Sequence, residues 1–251
     1  MKWLTNLLAR LYATYALIVF ICTMLIMLLP MWLVSLLPGP RNIRYFMTLG
    51  RAWMHVYMPL IFCPVRVKGK AYFDSDQPYI IVCNHNSMMD VPTTTYAIPA
   101  ASKSLAKEEM KKAPIFGIMY KVGSVLVNRH DPESRKRSVA EMKEVLSDGV
   151  HMLLYPEGTR NKTDDPLKSF YDGAFTLAIE THKPILPAVI FNTRKIMPPG
   201  KVFYALPHAI DIHFLAPVDT TALTSADLES LKERVFKTMW EHIEQHWKQK
   251  A

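Results

Sequence analysis

The chain has 251 residues, of which 50% are hydrophobic, and its formal net charge is +8. A chain of this length and composition can bury a sizeable core, which excludes a disordered protein and favours one large domain with or without an appendage. The basic balance suits a phosphorylated substrate or an anionic membrane surface, and nucleic acid less specifically. Cys22, Cys63 and Cys83 show no C-x-x-C spacing, so a disulfide framework is not indicated and a reducing compartment is expected.

An N-terminal apolar run extends from Leu11 to Pro40 without a charged residue. It exceeds the roughly 18 residues that suggest a membrane span, and it is too long for the apolar core of a cleaved signal peptide. Pro30 is expected to split the run, because proline removes a backbone hydrogen bond, and to leave an arm at 11–29 that could cross alone. We therefore predict a membrane-associated N-terminus.

Basic residues follow this run, namely Arg41, Arg44 and Arg51. Their excess predicts that the next domain faces the cytoplasm at an inner, cytoplasmic membrane. A second apolar stretch, residues 45–65, is interrupted by Arg51 and His55. It predicts an amphipathic helix that lies in the membrane interface or packs against the first.

From Pro64 onward the chain has the pattern of a soluble α/β domain. Segments with the apolar or alternating pattern of strands are 65–69, 78–84, 124–129, 151–156 and 184–191. Two more alternating runs, 201–206 and 209–218, predict a hairpin or an edge pair on the same sheet.

Helical patterns separate these strands. They occupy 106–123, with a break at Pro114, then 131–149 and 171–183, and finally an amphipathic helix from Thr224 that a Thr224-x-x-Asp227 capping box opens. This alternation predicts an α/β fold with a central mixed, largely parallel sheet covered by helices on both faces. The predicted organisation is a membrane-associated helical region at 1–63 and an α/β domain at 64–251.

The loop after the 78–84 strand, "NHNSMMD", contains a His and an Asp. On a regular helix His85 and Asp90 would point about 140° apart, so they can meet only if His85 precedes the helix and Asp90 lies in its first turn. Ser87, with an Asp three residues on, resembles a capping box and favours that geometry. Two interpretations remain open: Asp90 orients a His85 general base, or Asp90 caps a helix beside a solvated histidine.

Two further loops follow strands. "YPEGTRN" places Glu157, Gly158, Thr159 and Arg160 in a tight turn whose amides and guanidinium could face an anion; the alternative is an ordinary surface turn. Arg129 also ends a strand, where a single arginine is more often solvated or ion-paired. Loops at the carboxyl ends of parallel strands meet at one edge of the sheet, which is where reactive groups collect.

Together these motifs resemble those of the 1-acyl-sn-glycerol-3-phosphate (lysophosphatidic acid) acyltransferase family, within the glycerolipid acyltransferases. "NHNSMMD" is similar to the family's N-H-x-x-x-x-D block, and "YPEGTR" is similar to F-P-E-G-T-R. "GSVLVNR" resembles a G-x-x-x-x-x-R block, and "ILPAVI", around Pro187, resembles a short apolar block. "AKEEMKKAPIFG" resembles a K-x-E-L…P…G segment, which places Lys107 near a phosphate site.

The resemblance implies transfer of a fatty acyl group from acyl-CoA or acyl-carrier protein to the sn-2 hydroxyl of 1-acyl-glycerol-3-phosphate, giving phosphatidic acid in phospholipid biosynthesis. It implies that His85 is the base and that Asp90 orients it. The residues implied to bind the phosphate and the acceptor are Lys107, Arg129, Glu157, Gly158, Thr159 and Arg160. Asn84, Ser87 and Pro187 are implied as structural residues near the site. No metal, cofactor or nucleic acid is expected.

The sequence departs from the family pattern at three positions. Tyr155 stands where Phe is usual, Asn128 where Asp is usual, and "SFYDGAF" replaces Phe-Lys-x-Gly-Ala, so that Asp172 removes a positive charge. Two alternatives stay open: an acyltransferase for glycerol-3-phosphate or another lysolipid, and a non-catalytic membrane module that binds lipid or nucleic acid. His242 and His246 have metal-ligand spacing but are interpreted as a solvated helix face.

Overall fold

A seven-stranded sheet forms the centre of the fold in the computed structural model, which describes residues 2–74, 77–113 and 116–249. In chain order the strands are β1 (Val65–Lys68), β2 (Ile80–Cys83), β3 (Ser102–Lys107), β4 (Ser124–Val127), β5 (His151–Leu154), β6 (Ile185–Phe191) and β7 (Ile210–Phe214). Their order across the sheet is β1-β7-β6-β2-β5-β3-β4. Neighbouring strands are parallel except β6 and β7, which are antiparallel. The expected mixed, largely parallel sheet is therefore confirmed.

The helices of the described part of the chain form two groups around this sheet. They are α1 (Lys2–Ser35), α2 (Pro40–Leu60), α3 (Asp90–Ala97), α4 (Phe116–Gly123), α5 (Pro132–Ser147), α6 (Gly173–Thr181), α7 (Thr193–Ile196) and α8 (Leu228–Lys248). Helix α2 packs against α1, α3 and α4, while α6 packs against α5 and α8. The strands β2, β5, β6 and β7 between these helices are buried along their whole length, whereas β1 and β3 are only partly buried.

Helices α1 and α2 form an antiparallel pair that is docked onto the α/β domain. The hydroxyl of Tyr12 donates to the carbonyl of Ile61, and the indole N–H of Trp53 donates to the Thr23 hydroxyl at 2.9 Å. By length and composition α1 can cross a membrane: its segment Trp3–Ser35 contains an 18-residue window of mean hydropathy 2.7, of which only 11% is buried. The second apolar stretch is thus a packing partner of the first.

Arginines that follow the N-terminal apolar run donate hydrogen bonds to the α/β domain. Arg51 donates to the backbone carbonyls of Ile98 and Ala100, and Arg44 donates to that of Asp148 at 3.0 Å. Helix α2 also contributes large side chains to the main hydrophobic core. The helical pair and the α/β domain therefore share one core instead of meeting at a linker.

The structure corrects three expectations about the elements. Helix α1 continues through Pro30, because a proline inside a long helix costs one hydrogen bond without having to end it. Residues 102–107 form β3, where a helix had been expected from residue 106. Residues 201–206 contain no strand, so β7 pairs with β6 and β1 instead of forming a hairpin with that run. The expected break at Pro114 lies outside the described residues.

Candidate active site

The His85 and Asp90 side chains meet at the carboxyl end of β2. His85 lies in the loop after the strand, and Asp90 is the first residue of α3. The distance between His85 Nδ1 and Asp90 Oδ2 is 2.8 Å. The Asp90 side chain is fully buried, whereas 21% of the His85 side chain is exposed. An imidazole held at Nδ1 by a buried carboxylate keeps Nε2 for a second partner, which is the arrangement of a general base.

Asp90 also serves as the cap of this turn. Its Oδ2 accepts the backbone N–H groups of Asn86, at 2.6 Å, and Ser87, at 2.7 Å. Among the described residues, the Ser87 hydroxyl accepts the N–H of Met89 at 3.4 Å and not that of Asp90, which donates to the Ser87 carbonyl instead, so the capping box expected from the sequence is formed on the Asp90 side alone. The two interpretations of the loop are thus compatible, because one carboxylate oxygen holds both the turn and the imidazole.

Tyr155 lies against the imidazole of His85. The two ring centroids are 4.3 Å apart and the rings are nearly parallel, at 26°. The Tyr155 hydroxyl lies 3.4 Å from the Thr94 hydroxyl, and burial raises the pKa of Tyr155 well above its usual value. The phenol is therefore neutral, and it limits the positions that the His85 ring can take.

Burial likewise raises the pKa of Cys83 well above its usual value, which leaves this neighbouring thiol protonated and unreactive.

Glu157 connects the His85 loop to the loop after β5. Its Oε1 accepts the backbone N–H of His85 at 2.7 Å, and its Oε2 accepts the backbone N–H of Lys168 at 3.0 Å. Only 1% of Glu157 is exposed, and burial raises the pKa of its carboxyl while these two hydrogen bonds oppose the rise. Both carboxylate oxygens of Glu157 accept backbone N–H groups, and Glu157 is not part of the lining of the cavity that opens beside His85; its role in acceptor binding stays a prediction.

A cavity of about 700 Å³ opens beside His85. It lies at the carboxyl ends of β3, β4 and β5, and Tyr155, Gly158 and Thr159 are part of its wall. The basic residues that line it are Lys107, Arg129, Arg160, Lys162 and Lys168. Among the described residues no carboxylate lines this cavity, so its electrostatic character suits an anionic ligand.

Arg129 and Gly158 contact each other at the mouth of this cavity. The guanidinium of Arg129 donates to the Gly158 carbonyl at 2.7 Å. Gly158 has φ 69°, and a Cβ there would lie 2.7 Å from the ring of Tyr171. The tight turn therefore requires glycine twice over, once for its backbone conformation and once for the ring that covers it.

Two of the residues expected to have structural roles, Asn84 and Pro187, connect neighbouring strands. The Asn84 side chain forms two hydrogen bonds with the backbone of Ile190, donating to its carbonyl at 3.0 Å and accepting its N–H at 2.7 Å. Pro187 is buried in β6 opposite Val82, and its carbonyl accepts the N–H of Leu215. These contacts fix the ends of β2 and β6 beneath the His85 loop.

Comparisons with known proteins agree with this geometry. Residues 64–191 match the family model described as Acyltransferase. The chain belongs to the Acyltransferase family. It is 30% identical over 172 residues to human 1-acyl-sn-glycerol-3-phosphate acyltransferase beta, covering 66% of this chain and 61% of that protein. It is 29% identical over 177 residues to the mouse alpha enzyme of the same name, covering 70% of this chain and 62% of that protein. The chain thus spans less than two thirds of the length of these two relatives.

A solved structure is similar to this acyltransferase over nearly its whole length. The crystal structure of the 1-acyl-sn-glycerophosphate (LPA) acyltransferase PlsC from Thermotoga maritima superposes with a TM-score of 0.77 at 25% sequence identity. The match covers 98% of this chain and 97% of that chain. Because α1 and α2 fall within this coverage, the similarity includes the N-terminal helical pair.

The sequence motifs assigned no role to two residues that lie beside His85 or line its cavity. Lys168 lines the cavity, and its ammonium donates to the Thr159 hydroxyl at 2.8 Å. Asn161 is fully buried; its backbone N–H donates to the His85 carbonyl, and its side chain bonds within the loop 161–165. Asn161 ends the "YPEGTRN" loop and Lys168 follows that loop, and this closeness in sequence to "YPEGTR" was the signal for both.

The solvated face expected at His242 and His246 is also corrected. Both side chains face the sheet, and His242 Nε2 lies 2.8 Å from Nδ1 of His213 on β7. The His246 ring stacks on Phe191 with centroids 3.9 Å apart. Burial lowers the pKa of His213 to about 4 and also lowers the pKa of His242, so these two rings are neutral at pH 7 and serve as packing between α8 and β7.

Proposed function

We propose that this chain transfers a fatty acyl group from a thioester donor, acyl-CoA or acyl-carrier protein, to the sn-2 hydroxyl of 1-acyl-glycerol-3-phosphate, giving phosphatidic acid. The observation that carries the proposal is that the buried His85–Asp90 pair borders a cavity lined by five basic side chains. The names of the relatives and of the similar solved structure support the same reaction. A thioester is already activated, so the proposed chemistry uses no metal or other cofactor.

In the proposed reaction His85 removes the proton of the acceptor hydroxyl at Nε2. The hydroxyl oxygen then attacks the thioester carbonyl carbon, the new C–O bond forms, and the C–S bond breaks. The thiolate of the donor leaves and takes the proton back from His85, so the histidine is unchanged after one turnover. Asp90 stabilises the positive charge that the imidazole carries between these two proton transfers.

The basic cavity holds the phosphate of the acceptor in this proposal. Arg129 and Arg160 offer guanidinium groups, and Lys107 offers an ammonium, at one edge of the sheet. Charge-assisted hydrogen bonds to a phosphate fix its position as well as its charge. Because the phosphate and the sn-2 hydroxyl belong to adjacent carbons of the same glycerol, holding one places the other beside His85.

Glu157 contributes by fixing the distance between these two parts of the site. One of its oxygens holds the backbone of His85 and the other holds the backbone of Lys168. The base and the wall of the phosphate cavity are therefore parts of one hydrogen-bonded unit.

Acyl transfer assays with several acceptors test the proposal. The protein is given labelled acyl-CoA or acyl-carrier protein together with 1-acyl-glycerol-3-phosphate, glycerol-3-phosphate or a lysolipid without phosphate. We expect phosphatidic acid from the first acceptor, and loss of turnover in folded His85→Ala protein. His182→Asn is the matched control, since this exposed histidine ends α6 in the left-handed conformation that asparagine tolerates. Normal turnover by His85→Ala, or preference for another acceptor, would contradict the proposal.

We also propose that α1 holds the catalytic domain on the cytoplasmic side of an inner membrane, where the lipid acceptor and the soluble donor can both reach it. The exposed apolar surface of α1 supports this position. Protease treatment of sealed vesicles of defined orientation tests it. Protection of the α/β domain in vesicles whose cytoplasmic face points outward would contradict this orientation.

A further inference from the structure

One basic residue of the cavity is held more firmly than the others and belongs to no motif. Lys168 is half-buried, its backbone N–H donates to Glu157, and its ammonium donates to the Thr159 hydroxyl. An ammonium has three N–H donors, so this neutral partner leaves two of them for a ligand. In the described part of the chain, no carboxylate lies within ion-pair distance of the Lys168 ammonium, and the buried Glu157 carboxylate interacts with its charge only at longer range.

The residues that follow Lys168 in sequence, up to the start of α6, place no positive charge in the cavity. Asp172 forms an ion pair with Lys232 on α8 at 2.7 Å, outside the cavity lining. Tyr171 covers Gly158 with its ring. The chain from 169 to 173 therefore closes the back of the turn, and Lys168 is the last basic side chain that reaches the cavity before α6 begins.

We propose that Lys168 is a specificity-determining residue that binds the phosphate of the lysophospholipid acceptor. This inference rests on the proposed function and assigns a further residue to its acceptor site. Through Glu157, the backbone of Lys168 is linked to that of His85, so an ammonium at this point selects acceptors whose phosphate lies at a fixed separation from the reacting hydroxyl. The other cavity lysines, Lys107 and Lys162, are exposed, so solvent screens their charge more strongly and they contribute less to selection than Lys168.

Binding and turnover are measured separately so that this inference and the proposed function can fail independently. Equilibrium binding of 1-acyl-glycerol-3-phosphate, and of 1-acylglycerol, which lacks the phosphate, is measured on detergent-solubilised protein without donor. The variants are Lys168→Met and Lys168→Arg, and Lys136→Met on the exposed face of α5 is the matched control for losing one charge. The KM values for acceptor and for donor are then measured on the same proteins.

Lys168→Met should weaken binding of the phosphorylated lipid, and raise its KM, by about 10-fold or more, as expected for one charge-assisted hydrogen bond. Lys168→Arg should restore most of this affinity, while Lys136→Met and the binding of 1-acylglycerol should stay within about twofold of wild type. Equal losses of affinity for both lipids would show that Lys168 only orders the loop. A rise confined to the KM of the donor would show that Lys168 binds the donor instead. Either result overturns the inference. If the wild-type protein binds the phosphorylated lipid through Lys168 but transfers no acyl group, the proposed function fails and this inference stands.

Discussion

Replacing Asp90 by Asn separates the two tasks of this carboxylate. The Asn side chain retains an oxygen that can accept the N–H groups now held by Oδ2, so the turn at residues 86–90 is kept. What is lost is the negative charge beside His85, whose Nδ1 lies 2.8 Å from Oδ2. With the imidazolium charge spread over the ring, two unit charges about 4 Å apart interact by about 4 kcal/mol at an effective dielectric constant near 20. The expected fall in kcat is therefore about 10³-fold.

The assay compares kcat, acceptor KM and thermal unfolding for wild type, Asp90→Asn and Asp90→Ala. Asp90→Asn should lose turnover with little change in KM or in melting temperature. Asp90→Ala should lose turnover and also unfold earlier, because three N–H donors lose their acceptor and each costs about 1–3 kcal/mol if it stays buried. If Asp90→Asn kept kcat within about tenfold of wild type, the charge of Asp90 would not stabilise a protonated His85 and the assigned mechanism would be wrong.

Three other substitutions test the site and its scaffold. In Glu157→Gln, one of the two buried backbone N–H groups faces an amide NH₂ instead of an oxygen. Turnover should therefore fall, and the free energy of unfolding should drop by about 1–3 kcal/mol. Unchanged values of both would show that the carboxylate does not hold the loops together. Gly158→Ala should lose activity for two reasons, a clash with the Tyr171 ring and the positive φ at this position. Adding Tyr171→Ala should recover only the part of the activity lost through the clash, as activity assays of both variants would show. Burial lowers the pKa of His151 to about 4, and its Nδ1 accepts the Tyr79 N–H, so the neutral form is favoured in the folded state. Because the folded pKa is lowered, this stabilisation is present above pH 6.5 and is lost as pH falls toward 4, by about 3 kcal/mol in denaturant titrations. His151→Asn, which keeps an acceptor but does not titrate, should remove this part of the pH dependence and leave the part due to His213, whose pKa burial also lowers to about 4; an identical slope would show that His151 does not contribute.

The elements that sequence patterns predicted well are those whose environment is uniform. β2, β5 and β6 are buried on both faces, so their residues form continuous apolar runs that are visible without any knowledge of their neighbours. The expected Thr224–Asp227 capping box forms, because both of its partners are local in sequence, and it opens a 3-10 turn, Ser225–Asp227, that leads directly into α8. β3 was missed for the opposite reason. It is only partly buried and contains lysines and serines, so its pairing with β4 and β5 outweighs a weak local preference.

The site residues that could be predicted differ from the others in the same way, by whether their positions depend on distant neighbours. The position of His85 and Arg129 at strand ends followed from the sheet, since the carboxyl ends of parallel strands meet at one edge. The role of Glu157 did not follow, because a glutamate between Pro and Gly in a loop has the appearance of a surface residue, and only the neighbouring backbone of His85 and Lys168 makes its burial favourable. Glu157 accepts the backbone N–H groups of His85 and Lys168, so a residue that the motif placed among the predicted phosphate ligands also links the His85 loop to the wall of the cavity.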